Sequence, residues 1–306
     1  MTKKMDISAC IITNNNKDVL NAIDSIKEYC NEILVCETSG KNDFQNELKE
    51  RNVTLFFRDW DSNFSNARNF LLEKAKCKWI LIIDSDETLE GQINRLPETY
   101  KCYYVRIRNG KMDSYNARIF RNYSYIRYIN AIHETVDYCF SEDEKCNAVN
   151  LIFNHKNYIE LTHEEYKRKL LRNYKILLKD INHPLRDYYF AFTYSFYEKK
   201  KNLALIHAYN ALNNLKLQPD QKANLYIMLF NITGRNEIEY LNKSISALPE
   251  QYYSRMLIAE MQNADEQIKQ YQYILNLMNS GMQSKLSNDI LPDKEFINLK
   301  LKELCQ

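Results

Sequence analysis

Residues 78–87 read KWILIIDSDE, an apolar run that passes directly into a cluster of acids. The five apolar residues at 79–83 predict a strand buried on both faces, as in the centre of a parallel sheet. Ligands of open α/β sheets bind beyond the carboxyl ends of such strands, so Asp84 and Asp86 are predicted to face a ligand. A turn would let both carboxylates reach one cation, and their hard oxygens suit Mg²⁺ or Mn²⁺. A solvated turn with acidic residues would have the same sequence pattern, and the motif alone leaves both interpretations open.

The chain before this strand alternates between strand and helix patterns. Runs rich in β-branched and aromatic residues predict strands at 7–13, 32–37 and 53–57. Apolar residues at helical spacing lie between them, and a helix is predicted over 65–76 with Ser65 as its N-cap. This order predicts an α/β fold with a mostly parallel, Rossmann-like sheet covered by helices. Beyond Pro97, further strands are predicted at 103–108, 116–121, 126–130 and 151–155.

The second half of the chain has helical patterns only. Thr162 opens the first of these helices with a capping-box sequence, THEE. Paired helices of this length resemble tetratricopeptide repeats, which stack as a solenoid, although a plain helical bundle explains the pattern too. We therefore predict two domains, residues 1–160 and 161–306, and helices at 162–181, 185–200, 202–216, 219–232, 236–247, 250–262 and 264–279.

Composition narrows the classes of protein to which the chain can belong. Hydrophobic residues make up 45% of its 306 residues, so a sizeable core can form and intrinsic disorder is excluded. The net charge of +2 gives no field that would draw the chain to nucleic acid. The eight cysteines form no CxxC pair, and no apolar run has the length of a membrane span. These features predict a reduced, cytoplasmic protein.

Several segments together resemble one family of enzymes. Residues 60–69, WDSNFSNARN, stand before KWILIIDSDE, and the chain opens with the strand ISACIIT at 7–13. ARIFRN at 117–122 and AIHE at 131–134 follow downstream. This set resembles the family-two glycosyltransferases of the GT-A fold. The last two segments are similar to a subset with tetratricopeptide-like tails, which includes the peptide S-glycosyltransferases of glycosylated bacteriocins (glycocins).

The resemblance implies a nucleotide-sugar donor, here a UDP-hexose such as UDP-glucose, and a Mn²⁺ or Mg²⁺ ion. It implies a metal site made by Asp86, Asp84 and His133, although His133 can equally be a structural histidine. The loop VCETSGKND at 35–43 departs from the family pattern, because Glu37 and Asn42 stand where Asp is usual. Residues implied to contact the donor are Thr13, Glu37, Asp61, Arg68, Asp84 and Ser85.

The resemblance also implies an inverting transfer, in which a carboxylate takes the proton of a hydroxyl acceptor. Glu134 is the first candidate for this base and Asp113 the second, although Glu134 could instead hold a neighbouring arginine. The implied acceptor is a Cys or Ser/Thr side chain of a bacteriocin-type peptide, and the helical tail could form a homodimer. Two alternatives remain open: transfer to a cell-envelope glycan or lipid-linked sugar, and a non-catalytic scaffold built on a glycosyltransferase fold.

Overall fold

The structure is a computed structural model with two compact units, the first ending at Asp180 and the second beginning at Ile181. The residues that it describes are 4–93, 96–110, 112–155, 162–234, 238–280, 284–286, 289–290 and 292–305. The domain boundary predicted at residue 160 lies outside these residues. The helix that follows it belongs to the first unit: Asp180 accepts a hydrogen bond from Ala131 N at 2.8 Å, and Arg172 lies over the Phe64 ring.

The first unit is built on one sheet of eight strands. The strands are β1 (Met5–Thr13), β2 (Cys30–Glu37), β3 (Thr54–Phe57), β4 (Trp79–Ile82), β5 (Glu87–Gly91), β6 (Cys102–Asn109), β7 (Met112–Arg121) and β8 (Lys145–His155). Their spatial order is β3-β2-β1-β4-β7-β6-β8-β5, and the first four are parallel to one another. Antiparallel pairing begins where β7 joins β4. The predicted α/β fold with a mostly parallel sheet in its first half is confirmed.

The apolar runs form the core of this sheet. All four residues of β4 are buried, as predicted for a central strand, and β1 buries Ile7, Ala9 and Ile11 on one face. Cys10 and Cys36 pack among apolar side chains on the opposite face and act as small hydrophobic residues. Helices α1 (Val19–Ile26), α2 (Gln45–Glu50) and α3 (Phe64–Leu72) connect the parallel strands.

Two local predictions are wrong. Residues 126–130 contribute only an isolated bridge between Ile129 and Thr135, not a strand. The N-cap of α3 is Asn63, whose side chain accepts a hydrogen bond from Asn66 N at 3.0 Å. Ser65 lies inside the helix and donates instead to the Asn130 carbonyl. The capping box predicted at Thr162 is confirmed and begins α4 (His163–Lys179).

The second unit is all helical in its described residues. Its helices are α5 (Arg186–Ser195), α6 (Lys201–Leu212), α7 (Pro219–Thr233), α8 (Ile238–Ala247), α9 (Tyr253–Met261), α10 (Ala264–Asn279) and α11 (Lys294–Leu304). Helix α11 was not predicted. Residues 236–237 of the helix predicted over 236–247 lie outside the described part. Helices α5, α7 and α9 begin 33 and then 34 residues apart. This spacing matches the 34-residue tetratricopeptide unit.

Each of these helices packs on the next one in its pair. Contacts join α5 to α6, α7 to α8 and α9 to α10. Between α5 and α6 the buried residues are small, since Ala191, Ala208 and Ala211 are almost fully covered. No helix in the described part of the chain combines the length and the apolar character needed to cross a bilayer.

Candidate active site

The carboxyl edge of the parallel strands gathers the side chains that the sequence singles out. Thr13 ends β1, Glu37 ends β2, and these two residues are neighbours in the sheet register. Asp61 follows β3, and Asp84 follows β4. Parallel strands end at one edge, so the chain topology alone brings these residues to one side of the sheet, as predicted.

A set of hydrogen bonds fastens the start of α3 to the loop around residue 130. Asn69 Nδ2 donates to the Tyr128 carbonyl at 2.9 Å, and Asn69 Oδ1 accepts from Tyr128 N at 2.7 Å. Phe64 N donates to the Ala131 carbonyl at 2.8 Å. This connection brings Arg68, on the helix, beside Glu134, which is far away in sequence.

The centre of the site is a chain of alternating charges. Arg68 donates from Nε to Glu134 Oε1 at 2.7 Å and from Nη2 to Asp84 Oδ1 at 2.8 Å. Arg118, on β7, donates from Nη2 to Asp84 Oδ2 at 3.0 Å and to Glu87 Oε1 at 2.8 Å. The order is therefore Glu87, Arg118, Asp84, Arg68, Glu134. Glu134 does hold a neighbouring arginine, as the alternative interpretation of this residue proposed.

These contacts shift the protonation of the group. Burial alone would raise the pKa of Asp84, but the charges of Arg118 and Arg68 outweigh it and lower that pKa well below its usual range. Burial raises the pKa of Glu87 to about 7, against the opposing charge of Arg118. Burial would lower the pKa of Arg68, and the carboxylates of Asp84 and Glu134 raise it instead. Asp84 is thus a fixed anion between two fixed cations.

A cavity of about 180 Å³ opens onto this chain of charges. Arg68 and Arg118 in its wall are 8% and 7% exposed, and each has one buried nitrogen without a hydrogen-bond partner, Nη1 and Nε respectively. Buried donors without acceptors are costly, so these atoms suit a ligand that brings oxygen acceptors. The cavity is lined by Arg68, Asp84, Asn116, Ala117, Arg118, Tyr128, Glu134, Thr135, Val136 and Asp137.

The backbone around this edge is unusual as well. Five non-glycine residues in the described ranges have positive φ, and four of them lie in loops at this edge or against α3: Asn15, Ser62, Asn130 and His133. Such conformations are uncommon outside glycine and cluster at functional sites, where the surrounding structure holds them. The fold therefore maintains strained backbone where the candidate site lies.

The sequence profile described as glycosyl transferase family 2 matches residues 8–133. This range runs from β1 through the acidic motif to the histidine before Glu134. The first unit contains a family 2 glycosyltransferase domain.

Two curated relatives align with this chain over 143 and 138 residues. The chain is 25% identical over 138 residues to the SPbeta prophage-derived glycosyltransferase SunS of Bacillus subtilis, covering 40% of this chain and 33% of that protein. It is 29% identical over 143 residues to a TPR repeat-containing protein of Synechococcus elongatus, covering 43% of this chain and 35% of the relative. The chain thus spans about a third of the length of the curated relatives it matches.

Solved structures with a remote likeness to this chain include the following two. S. aureus TarS, residues 1–349, is 13% identical with a TM-score of 0.32, and the match covers 91% of this chain and 92% of that one. The mannosyltransferase PcManGT from Pyrobaculum calidifontis, in complex with GDP-Man and Mn²⁺, is 12% identical with a TM-score of 0.37. That match covers 80% of this chain and 86% of the mannosyltransferase.

In the family 2 domain, two predicted donor contacts stabilise loops. Glu37 is fully buried, and its carboxylate accepts from Asn15 N, Ser39 N and Asn42 Nδ2, the last at 2.9 Å. The hydroxyl of Thr13 accepts from Asn16 N, and its carbonyl accepts from Thr38. The carboxylate of Glu37, which stands where Asp is usual, therefore stabilises the loop that follows β2.

The remaining predicted residues lie at different distances from the cavity. Asp61 accepts from Arg58 and Asn66, next to the start of α3. Asp113 begins β7 and pairs with Arg106. Asp113 is not part of the cavity lining, and the first lining residue on this strand is Asn116, three positions further along and about 10 Å away at 3.4 Å per residue.

The acidic motif of the domain offers oxygen ligands for a divalent cation. Ser85 and Asp86 form the turn after β4, and Asp86 Oδ2 lies 3.4 Å from His155 Nε2. His133 is exposed. In the described ranges no three His, Cys, Asp or Glu side chains converge on one point. Mg²⁺ commonly takes one or two carboxylates together with substrate phosphates, and Asp86 and Asp84 fit that arrangement once Asp84 is released by an arginine.

Sequence reasoning missed Arg118 and Glu87, which complete the chain of charges. In the sequence, Arg118 stands only as one letter of ARIFRN and Glu87 as the end of DSDE, and neither pattern assigns it a role. The signal available was the alternation of β7, which places Arg118 between apolar residues and hence on a specific face.

Proposed function

We propose that this chain is a metal-dependent, inverting glycosyltransferase that moves a hexose from a UDP-sugar to an acceptor. The observation that carries this proposal is the position of Asp84. It lies at the carboxyl edge of the family 2 domain, in a cavity that also contains Arg68, Arg118 and Glu134. Carboxylates and guanidinium groups at such an edge match the charges of a metal-bound nucleotide diphosphate.

Each side chain has a separate task in this proposal. Arg68 and Arg118 turn their unused N–H groups to the oxygens of the leaving diphosphate and hold it against the cavity wall. Asp86 and Asp84 hold the divalent ion, with His133 as a further ligand. When bound, that ion neutralises the charge that develops on the leaving group.

Glu134 is the proposed base for a hydroxyl acceptor. Its carboxylate is held by Arg68, and its side chain is 12% exposed. A thiol acceptor ionises near pH 8.5 and needs less help. A rate that depends strongly on Glu134 therefore favours an oxygen acceptor.

Hydrolysis of UDP-glucose with Mn²⁺ or Mg²⁺ tests the donor half of the proposal. Asp86→Ala should reduce the rate at least about a hundredfold, because a lost metal ligand removes several kcal/mol of transition-state stabilisation. Asp113→Asn is the matched control, since this acid lies at the β6–β7 hairpin, and its rate should stay within about twofold. Equal rates in wild type and Asp86→Ala would remove Asp86 from the mechanism.

The acceptor half rests on the resemblance to peptide S-glycosyltransferases. We propose a Cys or Ser/Thr side chain of a bacteriocin-type peptide, modified in the cytoplasm, by a chain that pairs with a second copy through its helical tail. Mass spectrometry of such a peptide after incubation with UDP-glucose should show one added hexose or more. Modification of a lipid-linked sugar or envelope glycan under the same conditions, with the peptide unchanged, would support the alternative acceptor. Calorimetry that detects no binding of UDP with Mn²⁺ would support the scaffold.

A further inference from the structure

Both oxygens of Asp84 are occupied before any ligand binds. Oδ1 accepts from Arg68 at 2.8 Å and Oδ2 from Arg118 at 3.0 Å. Each arginine is anchored on its far side by another acid, Glu134 or Glu87, so neither guanidinium is held by Asp84 alone. Each oxygen keeps a further lone pair, but a cation bound there would lie beside a buried guanidinium of like charge, so cation binding favours displacement of that guanidinium.

Displacement is unfavourable without a substitute acceptor. Arg68 and Arg118 are more than nine-tenths buried, and each already has one nitrogen without a partner. Losing Asp84 would leave Nη2 of Arg68 without its acceptor and Nη2 of Arg118 with Glu87 alone, and each buried N–H that loses an acceptor carries a desolvation penalty. A free divalent ion offers these N–H groups nothing, because it brings charge of the same sign and no acceptor.

A diphosphate removes this penalty. Its oxygens accept charge-assisted and bidentate hydrogen bonds from guanidinium groups, which are among the strongest in proteins. We propose that Arg68 and Arg118 form a latch on Asp84: they keep its carboxylate from a free divalent cation and release it when a diphosphate takes over their N–H groups. The proposal rests on the proposed function in one respect, namely that the cavity receives a diphosphate.

Isothermal titration with Mn²⁺ alone tests the latch without any turnover. The informative variant is Arg118→Met with Glu87→Gln, measured at pH 8, where Glu87 is ionised, so that it removes both members of a buried ion pair and leaves the net charge unchanged. Replacing both partners of such a pair is often tolerated, whereas removing one is not. We expect the double variant to bind Mn²⁺ about tenfold more tightly than wild type, because Asp84 Oδ2 is then available. Because the net charge is unchanged at that pH, the overall charge of the protein does not explain this gain.

A second ion pair, remote from the cavity, provides the matched control. Arg51 pairs with Asp24 at 2.8 Å, and neither residue lines the cavity. Arg51→Met with Asp24→Asn is also neutral in net charge, and we expect its Mn²⁺ affinity to match that of wild type. Arg68→Lys supplies an independent variant: one ammonium replaces the fork that reaches Asp84 and Glu134, so Mn²⁺ binding should again be tighter than in wild type.

The same titrations with diphosphate separate this proposal from the donor proposal. Uridine diphosphate and inorganic pyrophosphate, each without metal, should bind the Arg118→Met, Glu87→Gln protein more weakly than wild type. Mn²⁺ affinity that is equal in wild type, the double variant and Arg68→Lys would overturn the latch. If Mn²⁺ and pyrophosphate behave as expected but uridine diphosphate does not bind, the latch stands and the proposed UDP-sugar donor is wrong.

Discussion

Glu87 lies beneath the cavity with 1% of its side chain exposed, yet it is an acid that accepts hydrogen bonds from Asp84 N and from Arg118. Burial raises its pKa to about 7, and the neighbouring charge of Asp84 acts in the same direction. In the unfolded chain a glutamate titrates near 4.3. The folded protein therefore binds this proton more tightly than the unfolded chain does.

This difference predicts how stability depends on pH. The contribution of Glu87 to the free energy of unfolding is fully present below about pH 4.3 and is lost as the pH rises toward about 7. At about 1.4 kcal/mol per pKa unit, the loss is up to about 4 kcal/mol. In Glu87→Gln this residue cannot titrate, so the difference between wild type and variant should change between pH 5 and pH 7.5. Urea unfolding at these two pH values measures it, and parallel behaviour of the two proteins would contradict the raised pKa.

The contribution of Asp84 to the free energy of unfolding depends on pH in the opposite direction. Its folded pKa is lowered by Arg118 and Arg68, so its contribution is present above about pH 3.9 and is lost only in stronger acid. The two acids of one chain of charges thus titrate in separate windows, and the Glu87 window can be measured without interference from Asp84.

At the scale of elements, α3 determines where Arg68 lies. Asn63 caps this helix by accepting from Asn66 N, and Asn69 fastens it to Tyr128. We expect Asn63→Ala to lower the free energy of unfolding by about 1 kcal/mol, and Asn63→Asp to retain most of it, because Asp caps as well as Asn does. Thermal or urea unfolding checks both variants. Ser65→Ala, at the residue that the sequence pattern favoured as cap, serves as the comparison.

The elements that the sequence predicted well are those whose pattern is local. The apolar runs of β1, β2 and β4 and the capping box at Thr162 depend on neighbours in the chain, and they are found where expected. Strand β5 has the sequence ETLEG, which carries no alternation, and it forms because β8 pairs with it. Its last residue, Gly91, has φ of 101°, and a Cβ there would lie 2.1 Å from the Asn150 carbonyl oxygen.

The candidate site was predictable in part for the same reason. Asp84, Arg68 and Glu134 belong to motifs, and the parallel topology brings motif ends to one edge. Arg118 is 34 residues from Asp84, and only the antiparallel pairing of β7 with β4 makes them neighbours. The hydrogen bonds between Glu37 and its own loop depend on the conformation of the turn after β2, which no sequence pattern specifies.

At the scale of the molecule, the two units differ in architecture. The sheet of the first carries the candidate site, and the second repeats a pair of helices at intervals of 33 and 34 residues. In repeat proteins each unit is stabilised mainly by its neighbours, so damage to one helix pair should remain local. The contact between α5 and α6, where the buried residues are small, allows a test of this expectation.

We expect Ala208→Leu to lower the stability of the second unit by about 1–3 kcal/mol, because Ala208 is fully buried and a larger side chain overpacks the contact. The binding of uridine diphosphate by the first unit should stay as in wild type. Ile206→Ala, at an exposed position of the same helix, is the control, with a change within about 0.5 kcal/mol. Differential scanning calorimetry with and without the nucleotide distinguishes local from global loss.

The alternating order of Glu87, Arg118, Asp84, Arg68 and Glu134 also constrains how this protein can evolve. A single substitution at an inner position leaves a buried charge facing a charge of its own sign or none, whereas a paired change at 87 and 118 removes an acid and a base together. Among homologues, positions 87 and 118 should therefore be gained and lost as a couple. A lineage that keeps the arginine while losing the acid should be rare, and it should carry a replacement carboxylate elsewhere in the cavity.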